Sequence, residues 1–370
     1  MPEKKTRILH VMDKLSVDGS KIAGPARQIA YRVPLYPKDR FQVLVCSLRR
    51  EQSAREFLAE SGVEVICLER SKFDPRALLD PWQLIRQWKP TVLHLHGYAS
   101  WTIGRIVRLR IRLPVIVQEH FIDEHVPAIQ RVFDRALGKQ QELGLAVVDA
   151  VKTFMLEERY VRNTPIEVIW NGLPFEKIRA DALNTDAESL RKSMDIPPTV
   201  SIVGIVGRLA EMKGHECFLE AAVRIRKAMP DTHFVIVGDG PLRAKLEHQA
   251  AKLGLNDNTH FTGHLSNVVP YLAMFDISVL PSIYGEGFHT VALESLSAGT
   301  PVVITDLETY RGLYTDDVDV LKVPVRDSDA TAKAALRILE APELSNKLLD
   351  NAQRLLASCS VDAVAKSYLD

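Results

Sequence analysis

Short runs of Val, Ile and Leu alternate with longer amphipathic stretches along all 370 residues. Runs that are apolar throughout and bounded by turn residues predict strands buried on both faces of a parallel sheet. The amphipathic stretches between them predict the covering helices. In the first half such runs fall at 7–12 (RILHVM), 42–48 (QVLVCSL), 63–69 (VEVICLE), 91–96 (TVLHLH), 114–119 (PVIVQE), 143–148 (LGLAVV) and 166–170 (IEVIW). The stretch 174–199 is polar and strand-free, with Pro197-Pro198 near its end. The rhythm then restarts at 201–207, 233–239, 260–263, 277–282, 301–306 and 320–324. The expected architecture is α/β, with two doubly wound Rossmann-like domains. An N-terminal domain spans 1–175, a linker 176–199 and a C-terminal domain 200–352, and a final helix at 353–370 packs back toward the first domain. Sheets of this kind take ligands beyond the carboxyl ends of their strands, so two of them are expected to face a central cleft. Chemistry should therefore reside in the strand-to-helix turns.

Composition supports a folded core, with 46% hydrophobic and 25% charged residues, and no apolar run approaches the length of a membrane span. Cys46, Cys67, Cys217 and Cys359 are widely separated and form no CxxC pair, which argues against a zinc or redox motif and for a reduced, cytoplasmic setting. The segment MPEKKTR leads straight into the first predicted strand, with nothing resembling a secretory leader. Net charge is zero, yet residues 1–180 carry 29 basic and 21 acidic side chains while 181–370 carry 18 and 26. The basic half is suited to an anionic partner. Within it, RIVRLRIRLP sets Arg105, Arg108 and Arg112 at helical spacing with Arg110 beside them, read either as a solvated helix or as a contact for anionic lipid headgroups at the inner membrane face. Nothing in the pattern points to nucleic acid.

Two turns in the second half concentrate charge. VGIVGRLAEMKGHECFLEAA places Gly207 and Arg208 at a strand end and Lys213-Gly214 immediately before a helix. Helix N–H groups, a guanidinium and an ammonium together favour a diphosphate. VGDGPLRAKLEH supplies Gly238 and Gly240 for a tight turn, but lacks the third glycine and the later acidic residue of a dinucleotide fingerprint. The segment VLPSIYGEGFHTVALESLSAGTPVVITD carries Glu286 on a loop and Glu294 in the following helix, which stops at Gly299-Thr300-Pro301. Two carboxylates so placed suit two sets of hydroxyls on one ligand, such as a sugar and a ribose.

Together these residues resemble the retaining GT-B glycosyltransferases of glycosyltransferase family 4. The resemblance rests on Glu286-Gly287-Phe288 through Glu294, Ala298-Gly299-Thr300-Pro301-Val302-Val303, Gly207-Arg208-Leu209 with Lys213-Gly214, and Val237-Gly238-Asp239-Gly240-Pro241. It implies that Arg208 and Lys213 hold the donor diphosphate, that Glu294 takes the ribose and that Glu286 lies beside the transferred sugar. It places the backbone of Gly287, Phe288, His289 and Thr290 near sugar or phosphate, with Gly207, Gly238 and Gly240 shaping the nucleotide turns. In the first half, HLHG (His94 to Gly97), Glu119-His120 and Asn171-Gly172 match more loosely. His120 resembles a histidine that hydrogen-bonds the donor near the reacting carbon, and at most one of His94 and His96 is expected to reach the cleft.

The implied activity is transfer of a sugar from a UDP- or GDP-type donor to a glycan, lipid-linked or small-molecule acceptor, as in polysaccharide or glycolipid biosynthesis. The implied catalytic residues are His120, Arg208, Lys213 and Glu286, with the donor as co-substrate and no cofactor or metal. Asp317-Val318-Asp319 is a DxD by letter only. Three departures from the family pattern stand out: Gly24-Pro25-Ala26-Arg27 in place of a Gly-Gly turn, His289 in place of a glycine, and the altered loop 307–312. A nucleotide-sugar 2-epimerase and a non-catalytic sugar-nucleotide binder are the alternatives, with an NAD dehydrogenase further off.

Overall fold

A computed structural model describes residues 5–16, 22–49, 52–69, 76–123 and 125–370, the side chains of residues 77 and 78 excepted. Each predicted run coincides with an observed strand. The strands are β1 (Thr6–Met12), β2 (Phe41–Ser47), β3 (Glu64–Cys67), β4 (Val92–His96), β5 (Val115–Glu119), β6 (Leu143–Ala146) and β7 (Ile166–Val168), then β8 (Ile202–Val206), β9 (His233–Val237), β10 (Thr259–Gly263), β11 (Ile277–Leu280), β12 (Val302–Thr305) and β13 (Leu321–Val323). The helices are α1 (Gly24–Arg32), α2 (Gln52–Glu60), α3 (Arg76–Trp88), α4 (Tyr98–Arg108), α5 (Ala128–Leu137), α6 (Asp149–Glu157), α7 (Phe175–Leu183), α8 (Ala187–Ser193), α9 (His215–Ala228), α10 (Arg243–Lys252), α11 (Val269–Met274), α12 (Thr290–Ser297), α13 (Ser328–Leu339), α14 (Pro342–Ser358) and α15 (Val361–Leu369).

Two compact units result, one comprising the chain up to Gly172 plus Val361–Asp370, the other Leu173–Ser360. The first holds a parallel sheet of order β3-β2-β1-β4-β5-β6-β7, the second a parallel sheet of order β10-β9-β8-β11-β12-β13. In both, the order reverses beside the first strand of the unit, the switch point at which open α/β sheets bind ligands. Strand burial explains why the pattern was readable: every residue of β8, β9, β11 and β12 is buried, as parallel strands sandwiched between helices must be. The core of the second unit joins these strands to α9, α10 and α13 through Phe218, Phe234, Ile236, Leu246 and Ile338.

Two boundaries differ from expectation. The stretch read as a linker, 176–199, carries α7 and α8 and lies within the second unit. Phe175 and Ile178 bury one side of α7, and Asp186 caps α8 by accepting the Ser189 N–H at 3.0 Å. The terminal segment 353–370 is not one helix: α14 ends at Ser358 in the second unit, and α15 packs against α1 in the first.

In the first unit α5 is inverted. Gln130 and Asp134 point inward while Ile129, Val132 and Phe133 are 67%, 61% and 40% exposed. The reason is ionic. Asp134 accepts from Arg105 Nη1 and from Arg159 Nε at 2.8 Å each, and Arg159 also pairs with Glu119. Arg105 is therefore fully buried and does not join the exposed basic face expected of it.

Candidate functional site

In the second unit β8 ends at Val206, just before Gly207, and a 3-10 turn over Glu211–Lys213 leads into α9. Gly214 adopts a left-handed φ of 68°, and a Cβ there would lie 1.9 Å from the Pro281 carbonyl oxygen, so only glycine lets this turn press against the end of β11. Gly238, at φ 141°, stands in the same relation to the Gly207 carbonyl, 2.0 Å from where its Cβ would be. The two glycine turns are thus held together by close backbone contact, with Leu209 N–H donating to the Asp239 carbonyl at 3.0 Å. Gly240 backs directly onto Leu209.

The Lys213 ammonium donates to Glu286 Oε1 at 2.5 Å, and the Ser282 hydroxyl donates to the same oxygen at 2.7 Å. Two residues that the sequence assigned to separate ligand groups are therefore partners of one another. Burial alone would push the Glu286 carboxyl upward, but Lys213, His289 and the Ser282 hydroxyl hold it down at about 2. It is a carboxylate at neutral pH and accepts hydrogen bonds. His289 Nε2 lies 3.7 Å from Glu286, while burial lowers the imidazole to about 4, so this contact is not an ion pair near neutrality. The Tyr314 hydroxyl donates to the His289 carbonyl at 2.9 Å, and Tyr310 meets the His289 ring edge-on at 5.9 Å. Gly287 and Phe288 are buried, Thr290 opens α12, and Glu294 is buried one turn further along that helix. Arg208 is exposed at the strand end. Asp319 is buried and accepts the Thr315 N–H, whereas Asp317 is exposed and pairs with Arg337, so each has a partner within the second unit.

In the first unit His120 follows β5 directly. His96 Nδ1 lies 2.9 Å from His120 Nε2, and His96 Nε2 lies 3.0 Å from His10 Nδ1. His94 and His96 share a face, as residues two apart on a strand must, and their ring centroids are 4.4 Å apart. The expectation that only one of them would reach the site misjudged this period. Burial drives His10, His94 and His96 well below the ordinary histidine range and His120 to about 3, so all four are neutral near pH 7. Asp13, not foreseen, anchors the β4–α4 turn by accepting the Ala99 and Ser100 N–H groups at 2.9 and 2.7 Å. Ser282, Tyr310 and Tyr314 were also missed; Ser282 alone carried a signal, closing the strand that precedes the Glu286 loop.

Residues 23–172 match the family described as Glycosyl transferase 4-like domain, and 186–355 match Glycosyl transferases group 1. The chain is 25% identical over 335 residues to the UDP-Gal:alpha-D-GlcNAc-diphosphoundecaprenol alpha-1,3-galactosyltransferase of Escherichia coli, covering 86% of this chain and 85% of that protein. It is 36% identical over 217 residues to the 2-deoxystreptamine glucosyltransferase of Streptomyces kanamyceticus, covering 58% of this chain and 54% of that protein. Among solved structures, Anabaena HepE in complex with UDP superposes with a TM-score of 0.84 over 98% of both chains at 18% identity. No helix among the described residues is long and apolar enough to cross a membrane. With two Rossmann-like units, matched in order by those two families, the chain belongs to the GT-B glycosyltransferases of family 4 and uses a nucleotide-sugar donor.

Proposed function

We propose that this glycosyltransferase moves a hexosyl group, with retention of anomeric configuration, from a UDP- or GDP-linked donor to a glycan or lipid-linked acceptor. The observation that carries the site assignment is the Lys213–Glu286 contact, which joins two turns lying 73 residues apart in sequence. In this reading the donor diphosphate meets Arg208, Lys213 and the first N–H groups of α9. Negative charge building on the leaving diphosphate is stabilised there by groups already in place. The ionised Glu286 accepts hydrogen bonds from sugar hydroxyls, and Glu294 accepts those of the ribose. His120 hydrogen-bonds the donor sugar. The departing phosphate takes the acceptor proton, so no dedicated base, cofactor or metal is assigned. UDP is the favoured nucleotide, because the Escherichia coli relative is named for UDP-Gal and the HepE structure holds UDP.

Calorimetric titration with UDP, GDP and ADP, followed by NMR assignment of the anomeric product, tests this. Binding of one nucleotide and a product of unchanged anomeric configuration support it. An inverted product defeats the mechanism, and donor turnover without a glycosylated product would point to the epimerase.

The exposed apolar stripe of α5 supports contact with an anionic membrane surface. Ile129, Val132 and Phe133 are joined by Ile106 and Leu109 of the adjacent α4 and its end, 37% and 56% exposed, with exposed Arg110 and Arg112 beyond them. Apolar residues rimmed by arginines suit a headgroup boundary. Flotation with phosphatidylglycerol vesicles should recover the wild type and lose Ile129→Glu/Val132→Glu. Equal flotation of both would remove this reading.

A further inference from the structure

The histidines of the first unit form a hydrogen-bonded string whose geometry has a consequence for His120. His10 and His96 have ring centroids 5.3 Å apart with planes inclined by 22°, and His96 and His120 have centroids 5.2 Å apart inclined by 25°. With nitrogens 3.0 and 2.9 Å apart, these rings meet edge to edge in nearly a common plane. His94 lies across them, 4.6 Å from His10 and 4.4 Å from His96. Although His10, His94 and His96 bring ring nitrogens within 4.8 Å of one another, a shared metal needs three lone pairs aimed at one point. Here two of the rings are aimed at each other and the third is stacked over them.

A neutral imidazole carries one N–H and one lone pair. A string of three neutral rings therefore has two fully bonded arrangements. In one, His10 Nδ1–H donates to His96 Nε2, His96 Nδ1–H donates to His120 Nε2, and His120 is left with its proton on Nδ1. In the other every bond reverses, and His120 Nδ1 is a bare lone pair. That Nδ1 is buried and has no hydrogen-bond partner among the described residues. The cover over the string comes from the chain terminus: Tyr368 of α15 accepts from Gln118 Nε2 at 2.5 Å, and the Arg32 guanidinium stacks on its ring at 3.5 Å.

We infer that His10, acting through His96, is a positioning residue that locks His120 into the same tautomer as its own, so that His120 presents one defined hydrogen-bonding state at Nδ1 to a hydroxyl of the sugar nucleotide. The functional half of this inference rests on the donor-site reading above; the tautomer half does not. The experiment uses the full chain labelled with nitrogen-15 histidine, near neutral pH and without ligand, and reads two-bond proton–nitrogen correlations, which distinguish the tautomers. His10, His96 and His120 should all show the same tautomer, and different tautomers among the three overturn the inference. In His10→Phe, which keeps a ring but removes its nitrogens, His120 should become a mixture of the two tautomers. His10→Asn, whose amide replaces Nδ1, should restore the wild-type pattern. A folded His10→Phe with the wild-type pattern also overturns it, and if that variant does not fold, the wild-type spectrum alone decides. For turnover, His10→Phe should lower kcat/KM about tenfold, the worth of one hydrogen bond, with rescue by His10→Asn. The expected tautomers without donor binding would refute the donor-site reading and leave the string intact.

Discussion

Glu119 in the first unit and Glu286 in the second are both buried, and both pair with a cation, yet they titrate in opposite directions. Burial raises Glu119 to about 7 in spite of Arg159, whereas Glu286 is held at about 2 in spite of its burial. The difference lies in how many groups share the cation. Arg159 is divided between Glu119 and Asp134, while Lys213 serves Glu286, to which the Ser282 hydroxyl also donates. An ion pair thus does not by itself fix the charge of a carboxylate. The first arrangement ties α4, α5 and β5 together; the second keeps a full negative charge at the edge of a binding turn.

The strongest way to break this comparison is to remove the shared cation. Arg159→Met should destabilise the protein by about 3–5 kcal/mol, since buried Glu119 loses its cation and buried Asp134 keeps only Arg105. Urea unfolding measures it, and a loss under about 1 kcal/mol would show that the network is not structural. Lys213→Ala, which leaves the buried Glu286 with the Ser282 hydroxyl, should cost less stability, about 1–3 kcal/mol, while lowering sugar transfer about 100-fold, as expected when a charge-stabilising group is removed. Wild-type turnover in that variant would separate Lys213 from the chemistry.

Acid sensitivity sharpens the contrast further. Buried histidines with depressed folded-state values contribute stability that is fully present above about 6.5 and lost as pH falls toward about 3. Glu119 works the other way: its raised value makes the folded state bind an extra proton between its ordinary value of 4.5 and about 7, so its contribution declines as pH rises through that window. Glu119→Gln should therefore steepen the overall rise of stability across that interval, as followed by thermal melts at stepped pH. An unchanged slope would mean that Glu119 is ionised in the folded protein throughout. The smallest effect is expected for Ser282→Ala, which takes one hydrogen bond from a charged acceptor and should reduce donor affinity by about tenfold, read by calorimetry.

The strands were legible because a parallel sheet covered on both faces leaves little room for polar residues, so each strand appears as an uninterrupted apolar run. The helices α7 and α8 were not, because few residues are buried on α7 and none on α8, and a mostly solvated helix has the composition of a loop. Arg105 misled for a related reason. Its spacing fits an exposed basic face, and the residues that bury it, Asp134 and Gln141, lie 29 and 36 positions away. At the candidate site, Glu286 and Lys213 could each be singled out from local sequence. Their pairing could not, since it depends on how the β8 and β11 ends meet in space. His10 carried no signal of its own; its meaning arises only from its register beside His94 across the β1–β4 ladder.

The return of α15 to the first unit has a consequence for synthesis. The first unit has all its strands by Val168 but gains α15 only when Val361–Asp370 emerge, and with it the Tyr368 ring beside His94 and Arg32. A chain ending at Ser360 would hold every residue of the second unit yet leave the first without α15, so the loss of ten residues falls on the unit that was made first.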